Sequence, residues 1–335
     1  MDAGERAFVT GGSGFIGGRL VARLAREGIG VRALARSASS AAKVEALGAE
    51  PVRGDLDDED AMRGGSEGCR YFFHSAAALE DWGDPAYFER INVDGTARAL
   101  SAARAAGVKR FVHVGTEAAL LAGDPLIQAD ESAPLRPDSK SLYPSTKARA
   151  EQAVRGASSD GFETVVIRPR FVWGVGDATV LPSIAGAVKS GKFAFVGGGR
   201  HLTETTHVDN VIEGLVLGAD KGRAGAAYFV HDGSPVVFRE FVGDLLATQG
   251  IEAPDRSIPR LLAGALAVGG ETAWRLLPLP GQPPLTRMAY WVSALECTLD
   301  ISAARRDLGY EPVKTRAQGL DELREQASAP ASGGA

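Results

Sequence analysis

Tyr143 and Lys147 stand four residues apart in the run Tyr143-Pro144-Ser145-Thr146-Lys147. On a helix that spacing puts two side chains on one face. A phenol beside an ammonium can move a proton to or from a carbinol oxygen. A free tyrosine titrates near about 10, too high for an efficient base at neutral pH. A neighbouring cation favours the phenolate and lowers that value. In the opposite direction the phenol gives up its proton as hydride reaches a carbonyl carbon. Tyr143 is therefore the expected acid/base and Lys147 its partner. The same spacing arises by chance along the edge of amphipathic helices, so its meaning depends on the rest of the chain.

A hydroxyl beside such a pair could hold the substrate carbonyl. The run Arg110-Phe111-Val112-His113-Val114 reads as a strand and ends at Gly115-Thr116-Glu117. Ligands meet an open α/β sheet at the carboxyl ends of its strands. Thr116 is expected to hydrogen-bond a substrate carbonyl next to Tyr143, the alternative being a turn hydroxyl. Glu117 reads equally as a substrate contact or a solvated carboxylate. His113 points away from Val112 and Val114 in an extended strand and reads as a packed core histidine.

The chain opens with a glycine loop, Thr10-Gly11-Gly12-Ser13-Gly14-Phe15-Ile16-Gly17. Gly11 permits a tight turn, Gly14 lets backbone approach phosphate oxygens, and Gly17 lets the following helix pack closely. The helix N-terminus then offers free N–H groups and partial positive charge to a pyrophosphate. Gly11, Ser13, Gly14, Phe15 and Ile16 are the expected cofactor loop, with spacing GxxGxxG in place of the commoner GxGxxG. An acid at the end of the second strand would accept from a ribose 2′-hydroxyl. Here Ala35 holds that position and Arg36 follows, and a guanidinium pairs a phosphate through two parallel bonds. NADP(H) is the cofactor expected on this ground, with NAD(H) second. Asp55, before Leu56, is placed to accept from the adenine amino group or to cap the next helix.

The elements that must hold these residues follow from periodicity. Residues 6–10, 31–35, 50–53, 71–74, 110–114 and 164–168 read as short apolar strands, and 14–27, 39–47, 57–63, 87–106 and 143–158 as helices between them. Such alternation argues for βαβ units and a doubly wound, Rossmann-type parallel sheet of the α/β class. Residues 1–175 are expected to form the dinucleotide-binding domain with the Tyr143 helix. Residues 176–326 are expected to be mainly a smaller, mostly helical substrate-binding region, with some segments returning to the first domain. The segment 258–295 is apolar and broken by prolines, which suits short helices around a pocket. Residues 327–335, rich in Ala, Ser and Gly, are expected to be a disordered tail.

Composition bounds the rest. The 335 residues are 44% hydrophobic and 24% charged, as in soluble globular proteins, and a net charge of −5 gives no reason to expect nucleic acid. Cys69 and Cys297 lie far apart with no CxxC, so no disulfide or metal set is expected and a reducing cytoplasm is. The start of the first strand leaves no room for a signal peptide. The apolar stretch 261–270 is half of what spans a bilayer, which takes about 20 residues.

Taken in order, Thr10–Gly17, Gly54-Asp55-Leu56, His74-Ser75-Ala76-Ala77, Asn92-Val93-Asp94-Gly95-Thr96, Tyr143–Lys147 and Arg168-Pro169 resemble the extended short-chain dehydrogenase/reductases over about residues 5–325. Arg168-Pro169-Arg170-Phe171-Val172-Trp173-Gly174, Thr206-His207-Val208-Asp209-Asn210-Val211 and 304–312 are similar to the branch of 3β-hydroxysteroid dehydrogenases and 2-alkyl-3-ketoalkanoate reductases. The resemblance implies that Thr116 takes the family's Ser/Thr position and that Ala76 and Ala77 lie along the cofactor. It also implies that Pro169, Phe171 and Val172 border the nicotinamide, and that the protein is a homodimer. Glu117 and Trp173 are the candidate substrate contacts. A bulky apolar ketone or alcohol is the implied substrate. The alternatives are a nucleotide-sugar epimerase or dehydratase with tight NAD, for which Arg170, Lys189, Arg200 and His201 offer polar groups, and a non-catalytic NADP sensor.

Overall fold

The computed structural model describes residues 1–277 and 279–328. The first half runs β1 (Arg6–Thr10), α1 (Phe15–Arg26), β2 (Gly30–Ala35), α2 (Ala38–Ala46), β3 (Ala49–Arg53), α3 (Glu59–Ser66), β4 (Tyr71–His74), α4 (Pro85–Phe88), α5 (Gly95–Ala105), β5 (Arg110–Val114), α6 (Leu142–Gly156) and β6 (Glu163–Pro169). The second half adds α7 (Val180–Lys189), α8 (Val208–Lys221), β7 (Ala226–Val230), α9 (Phe238–Ala247), α10 (Arg260–Leu276), α11 (Arg287–Ala294), α12 (Ser302–Leu308) and α13 (Arg316–Ser328). All seven strands join one parallel sheet in the order β7-β6-β5-β4-β1-β2-β3.

The strands are apolar on both faces because helices cover both faces. Phe8, Phe72 and Phe111 are in register across β1, β4 and β5. Their rings meet with centroids 5.0 and 5.1 Å apart. Val9, Phe73 and Val112, one residue on, face the other way into a second core layer with Val211 and Leu215 of α8. The chain order reverses between β1 and β4, which opens a cleft above Thr10 and His74. That is where a parallel sheet of this kind takes its ligand.

Residues beyond 175 complete this sheet as well as forming their own layer. β7 pairs with β6 in register, Ala226 with Val165 through Val230 with Pro169. Helices α8 and α12 pack on it through Ile212, Ala219, Ala304 and Leu308. The rest of the second half carries short ribbons and α7, α9, α10 and α11. Helix α10 turns Ala263, Ala267 and Glu271 inward and leaves Leu261, Leu262, Leu266 and Leu276 exposed. No helix among the described residues is long and apolar enough to cross a membrane. Helix α13 includes residues 327 and 328 of the expected tail; 329–335, like Pro278, lie outside the described residues.

One expected helix is broken. Residues 87–106 divide into the end of α4, a π-helical turn at Glu89–Asp94, and α5. The wide turn swings Asn92 inward, where it takes the Ala78 N–H at 2.8 Å and donates to the Ala78 carbonyl at 3.2 Å and to Thr146 Oγ1 at 3.1 Å. Helix α8 starts at Val208 and is capped by His207, which accepts from the Asp209 N–H.

Helix α6 is fixed to the sheet by a buried ion pair. Arg168 Nε of β6 lies 3.1 and 3.0 Å from the two carboxylate oxygens of Glu151, and Nη2 also reaches Oε1. Both side chains are essentially inaccessible. Removing one partner leaves a lone buried charge, which costs about 3–5 kcal/mol. Glu151→Ala is expected to lose stability of that order in urea unfolding; a loss below about 1 kcal/mol would be at odds with a buried pair.

Candidate active site

Tyr143 occupies the first turn of α6, followed by Pro144, whose missing N–H is no loss where helix donors are unpaired. Its ring is buried among Ala78, Phe88, Ala118, Leu121 and Trp291. Lys147, one turn on, is also buried. Its ammonium donates to the Val114 carbonyl at 2.8 Å and to His113 Nε2 at 3.2 Å. Burial pushes Lys147 down to about 8, against the opposing pull of the Glu151 carboxylate. Burial pushes the Tyr143 phenol up and the charge of Glu117 adds to this, whereas a bond donated by Thr116 would work against it.

His113 does more than pack. Since its Nε2 accepts from Lys147, its proton sits on Nδ1. Its ring stacks on His74 with centroids 5.4 Å apart. His74 bonds Thr10 Oγ1 at 2.8 Å and Thr96 Oγ1 at 3.0 Å, and Thr96 donates to the Asn92 carbonyl at 2.7 Å. Burial, with Lys147 nearby, holds His74 down to about 3 and His113 well below the usual histidine range. Both rings are neutral. The network ties the end of β1, beside the glycine loop, to the π-turn and through Asn92 to α6.

Thr116 follows β5 and caps a 3-10 turn, accepting from the Ala118 N–H at 3.1 Å. It donates to Glu117 Oε2 at 2.9 Å. Glu117 is neither solvated nor on an open wall. It is buried against Arg170, whose Nη1 lies 2.5 Å from Oε1. Trp173, the other candidate substrate contact, is fully buried and gives its indole N–H to Asp232 at 2.9 Å, so it has no surface with which to touch a ligand.

The glycine loop fits a dinucleotide. A Cβ at Gly11 would stand 2.7 Å from the Ala76 nitrogen, and one at Gly17 only 2.2 Å from the Gly11 carbonyl oxygen. Ser13 and Gly14 are exposed, Phe15 and Ile16 half-buried, and no side chain caps α1. Its first N–H groups thus face the cleft with no acid in the first turn. Ala76 and Ala77 are half-buried along the same edge. Asp55 is exposed and closes a turn by accepting from the Asp57 N–H, while Asp58 caps α3; Leu56 is buried. Pro169 is buried, Val172 is half-buried, and Phe171 takes a left-handed φ of 44° between the rings of Phe238 and Phe241.

His207, Asp209 and Glu322 also draw together. His207 Nδ1 accepts from the Asp209 N–H, which leaves the proton on Nε2 facing Glu322 at 3.7 Å. Nδ1 is thus used in capping α8, and Nε2 has no hydrogen-bond partner among the described residues.

The profile of the 3-beta hydroxysteroid dehydrogenase/isomerase family matches residues 8–260. The chain is 47% identical over 330 residues to a 4-hydroxy-2-methyl-3-oxo-4-farnesyl-3,4-dihydroquinoline-1-oxide ketoreductase of Stigmatella aurantiaca, covering 98% of each chain. It is 35% identical to a 2-alkyl-3-oxoalkanoate reductase of Stenotrophomonas maltophilia, covering 97% of this chain and 100% of the relative. Among solved structures, dTDP-glucose 4,6-dehydratase from Streptomyces venezuelae with NAD and TYD bound superposes with a TM-score of 0.74 at 25% identity, covering 96% of each chain.

That last likeness corrects the cofactor. The dehydratase holds NAD, as does its double mutant, and the NADP(H) preference expected from Arg36 does not stand. The physical reason lies around the residue. Arg36 is exposed, and the hydroxyls next to it are engaged: Ser37 and Ser40 cap α2 reciprocally. Arg36 makes no hydrogen bond or ion pair to another of the described residues and stands as an exposed strand-end charge.

The lowered Lys147 value carries a pH signature. The folded protein favours the neutral amine, whereas the unfolded chain keeps the proton up to the ordinary lysine range. Stability from this residue is therefore reduced below about pH 8 and recovers as pH rises from there towards 10.5. Relative to Lys147→Met, the wild-type protein is expected to gain on the order of 2 kcal/mol between pH 8 and 10. Urea unfolding of both at pH 7, 8, 9 and 10 checks this, and a constant difference would contradict it.

Proposed function

The chain belongs to the 3-beta hydroxysteroid dehydrogenase/isomerase family, is an NAD(P)-dependent oxidoreductase of the extended short-chain type acting on CH–OH and C=O groups, and, we propose, reduces a bulky apolar ketone with NADH. The observation that carries this reading is the Tyr143 phenol, buried in an apolar shell and held protonated above its ordinary range. A phenol so placed is an acid for a carbonyl oxygen. Two relatives whose names give apolar keto substrates, a farnesylated quinoline oxide and 2-alkyl-3-oxoalkanoates, support the substrate class. The NAD of the dehydratase supports the cofactor.

Gly11, Ser13, Gly14, Phe15 and Ile16 would hold the pyrophosphate on the N-terminus of α1. Ala76, Ala77, Pro169, Phe171 and Val172 would line the rest of the dinucleotide. When bound, the nicotinamide supplies the hydride. Tyr143 gives its proton to the carbonyl oxygen as that oxygen gains charge. Lys147, released from Val114, offers its ammonium to ribose hydroxyls and stabilises the phenolate left behind. The shell of Ala118, Leu121 and Trp291 keeps bulk water from the phenol.

The nucleotide-sugar reading asks for cations to meet a diphosphate. Arg170 is committed to Glu117, and His201 is buried, stacked on Phe238 and held down to about 4 by burial with Arg170 next. Lys189 and Arg200 are exposed and could still meet a diphosphate, so it is the apolar shell around Tyr143 that weighs against this reading despite the shared fold. The buried Tyr143–Lys147 pair weighs against a mere sensor.

Tyr143→Phe is expected to bind NAD with wild-type affinity while turnover falls about 10²–10⁴-fold; turnover within a few fold of wild type would sink the assignment. In a nicotinamide-oxidation screen, 2-alkyl-3-oxo acids and prenylated aryl ketones are expected to be turned over, faster with NADH than with NADPH. Sugar-nucleotide isomerisation without added cofactor would replace this reading.

A further inference from the structure

Thr116 has one proton, and where it points decides what Tyr143 can become. Glu117 Oε2 takes it at 2.9 Å. The other Glu117 oxygen is held by Arg170 Nη1 at 2.5 Å. Arg170 is itself fixed, with Nε donating to Thr203 Oγ1 at 3.0 Å and its backbone N–H to Thr206 Oγ1 at 3.1 Å. The two charged side chains are 6% and 1% exposed. Desolving such a pair costs several kcal/mol, and apolar residues would fill the same space with no such penalty. Packing alone therefore does not explain it, whereas its one contact with the reacting groups, through the Thr116 hydroxyl, does.

We propose that Glu117, clamped by Arg170, is a positioning residue that claims the Thr116 proton and so keeps Tyr143 in its acid form, setting the enzyme for ketone reduction; this rests on Tyr143 being the acid/base. A phenolate at Tyr143 needs donors, and Thr116 is the side-chain hydroxyl placed to act on it. While its proton is held by Glu117, Thr116 presents only lone pairs to the phenol. The carboxylate also repels the phenolate directly, in line with its raising of Tyr143. Apolar side chains pack with Tyr143 from other elements: Ala78, Phe88 of α4, and Met288, Tyr290 and Trp291 of α11. On its own helix Lys147 is the counterweight, one turn on. Behind Arg170 stand Glu204 and the neutral Cys297, both pushed up by burial, to about 7 and about 12. Glu117 is thus the carboxylate whose charge is set against the phenol.

Glu117→Gln reverses the polarity. Its carbonyl faces Arg170, and its amide donates to Thr116, which turns its own proton to Tyr143. Reduction needs the phenol and is lost as pH rises through the Tyr143 value; oxidation needs the phenolate and appears there. In the variant both transitions are expected to fall by about one pH unit, and the ratio of reductive to oxidative kcat at pH 8 by about tenfold. Glu117→Asp should return both towards wild type. If Glu117→Gln is poorly folded, Glu117→Gln/Arg170→Gln, which leaves no lone buried charge, gives the same reading. Lower kcat with unmoved pH transitions would reduce the pair to a structural one and overturn the proposal. Full turnover by Tyr143→Phe would overturn the acid/base reading and this one together, whereas an inactive Tyr143→Phe with unmoved Glu117→Gln transitions would overturn this one alone.

Discussion

The Arg168–Glu151 pair bears on everything near the reaction centre without touching it. It joins the middle of α6 to the last residues of β6 in a place that water does not reach. Helix α6 must lie deep enough to bury both Tyr143 and Lys147, and a helix so placed carries Glu151 down with it. An unpaired carboxylate at that depth would be pushed back towards solvent and would take the helix along. The guanidinium makes the depth tolerable, and its far side lies over the Phe229 ring, 5.1 Å from the centroid.

Depth also determines the electrical character of the site. Lys147 is served by acceptors with no formal charge, a backbone carbonyl and a neutral imidazole. An acid in either place would have fixed the ammonium permanently and drawn it away from a ligand. Neutral acceptors satisfy it while leaving it free to exchange partners. The two stacked histidines suit this role because desolvation keeps them uncharged. The negative charge is instead kept on the other side of Tyr143, under Arg170.

The sheet was legible because its strands are apolar on both faces and the helices between them carry a 3.6-residue rhythm. Residues 71–74 and 110–114 read as strands on composition alone and keep those bounds. The glycine loop and the Tyr143–Lys147 spacing were legible because each is local, held within one turn. What failed was what depends on distant partners. The break at 89–94 arises because Asn92 bonds Ala78 and Thr146, a demand no helical periodicity carries. The acid after Thr116 looked solvated because Arg170 is more than fifty residues away. A hint lay in the flanking of Pro169 by two arginines, one paired with Glu151 and one with Glu117. Arg36 misled because cofactor choice depends on several donors in space, while its serine neighbours were already engaged in a cap.

The place of β7 in the sheet has a consequence for how the chain is made. Residues 226–230 close the sheet on β6, yet they are synthesised some sixty residues after it. Until then β6 is an edge strand, with Val165, Val166 and Ile167 beside unpaired backbone groups, and such an edge invites pairing with another chain. A nascent protein halted near residue 175 would hold the phosphate loop and the Tyr143 helix, and also the surface most prone to aggregation. The sheet that carries the glycine loop is thus complete only once residues 226–230 have joined it.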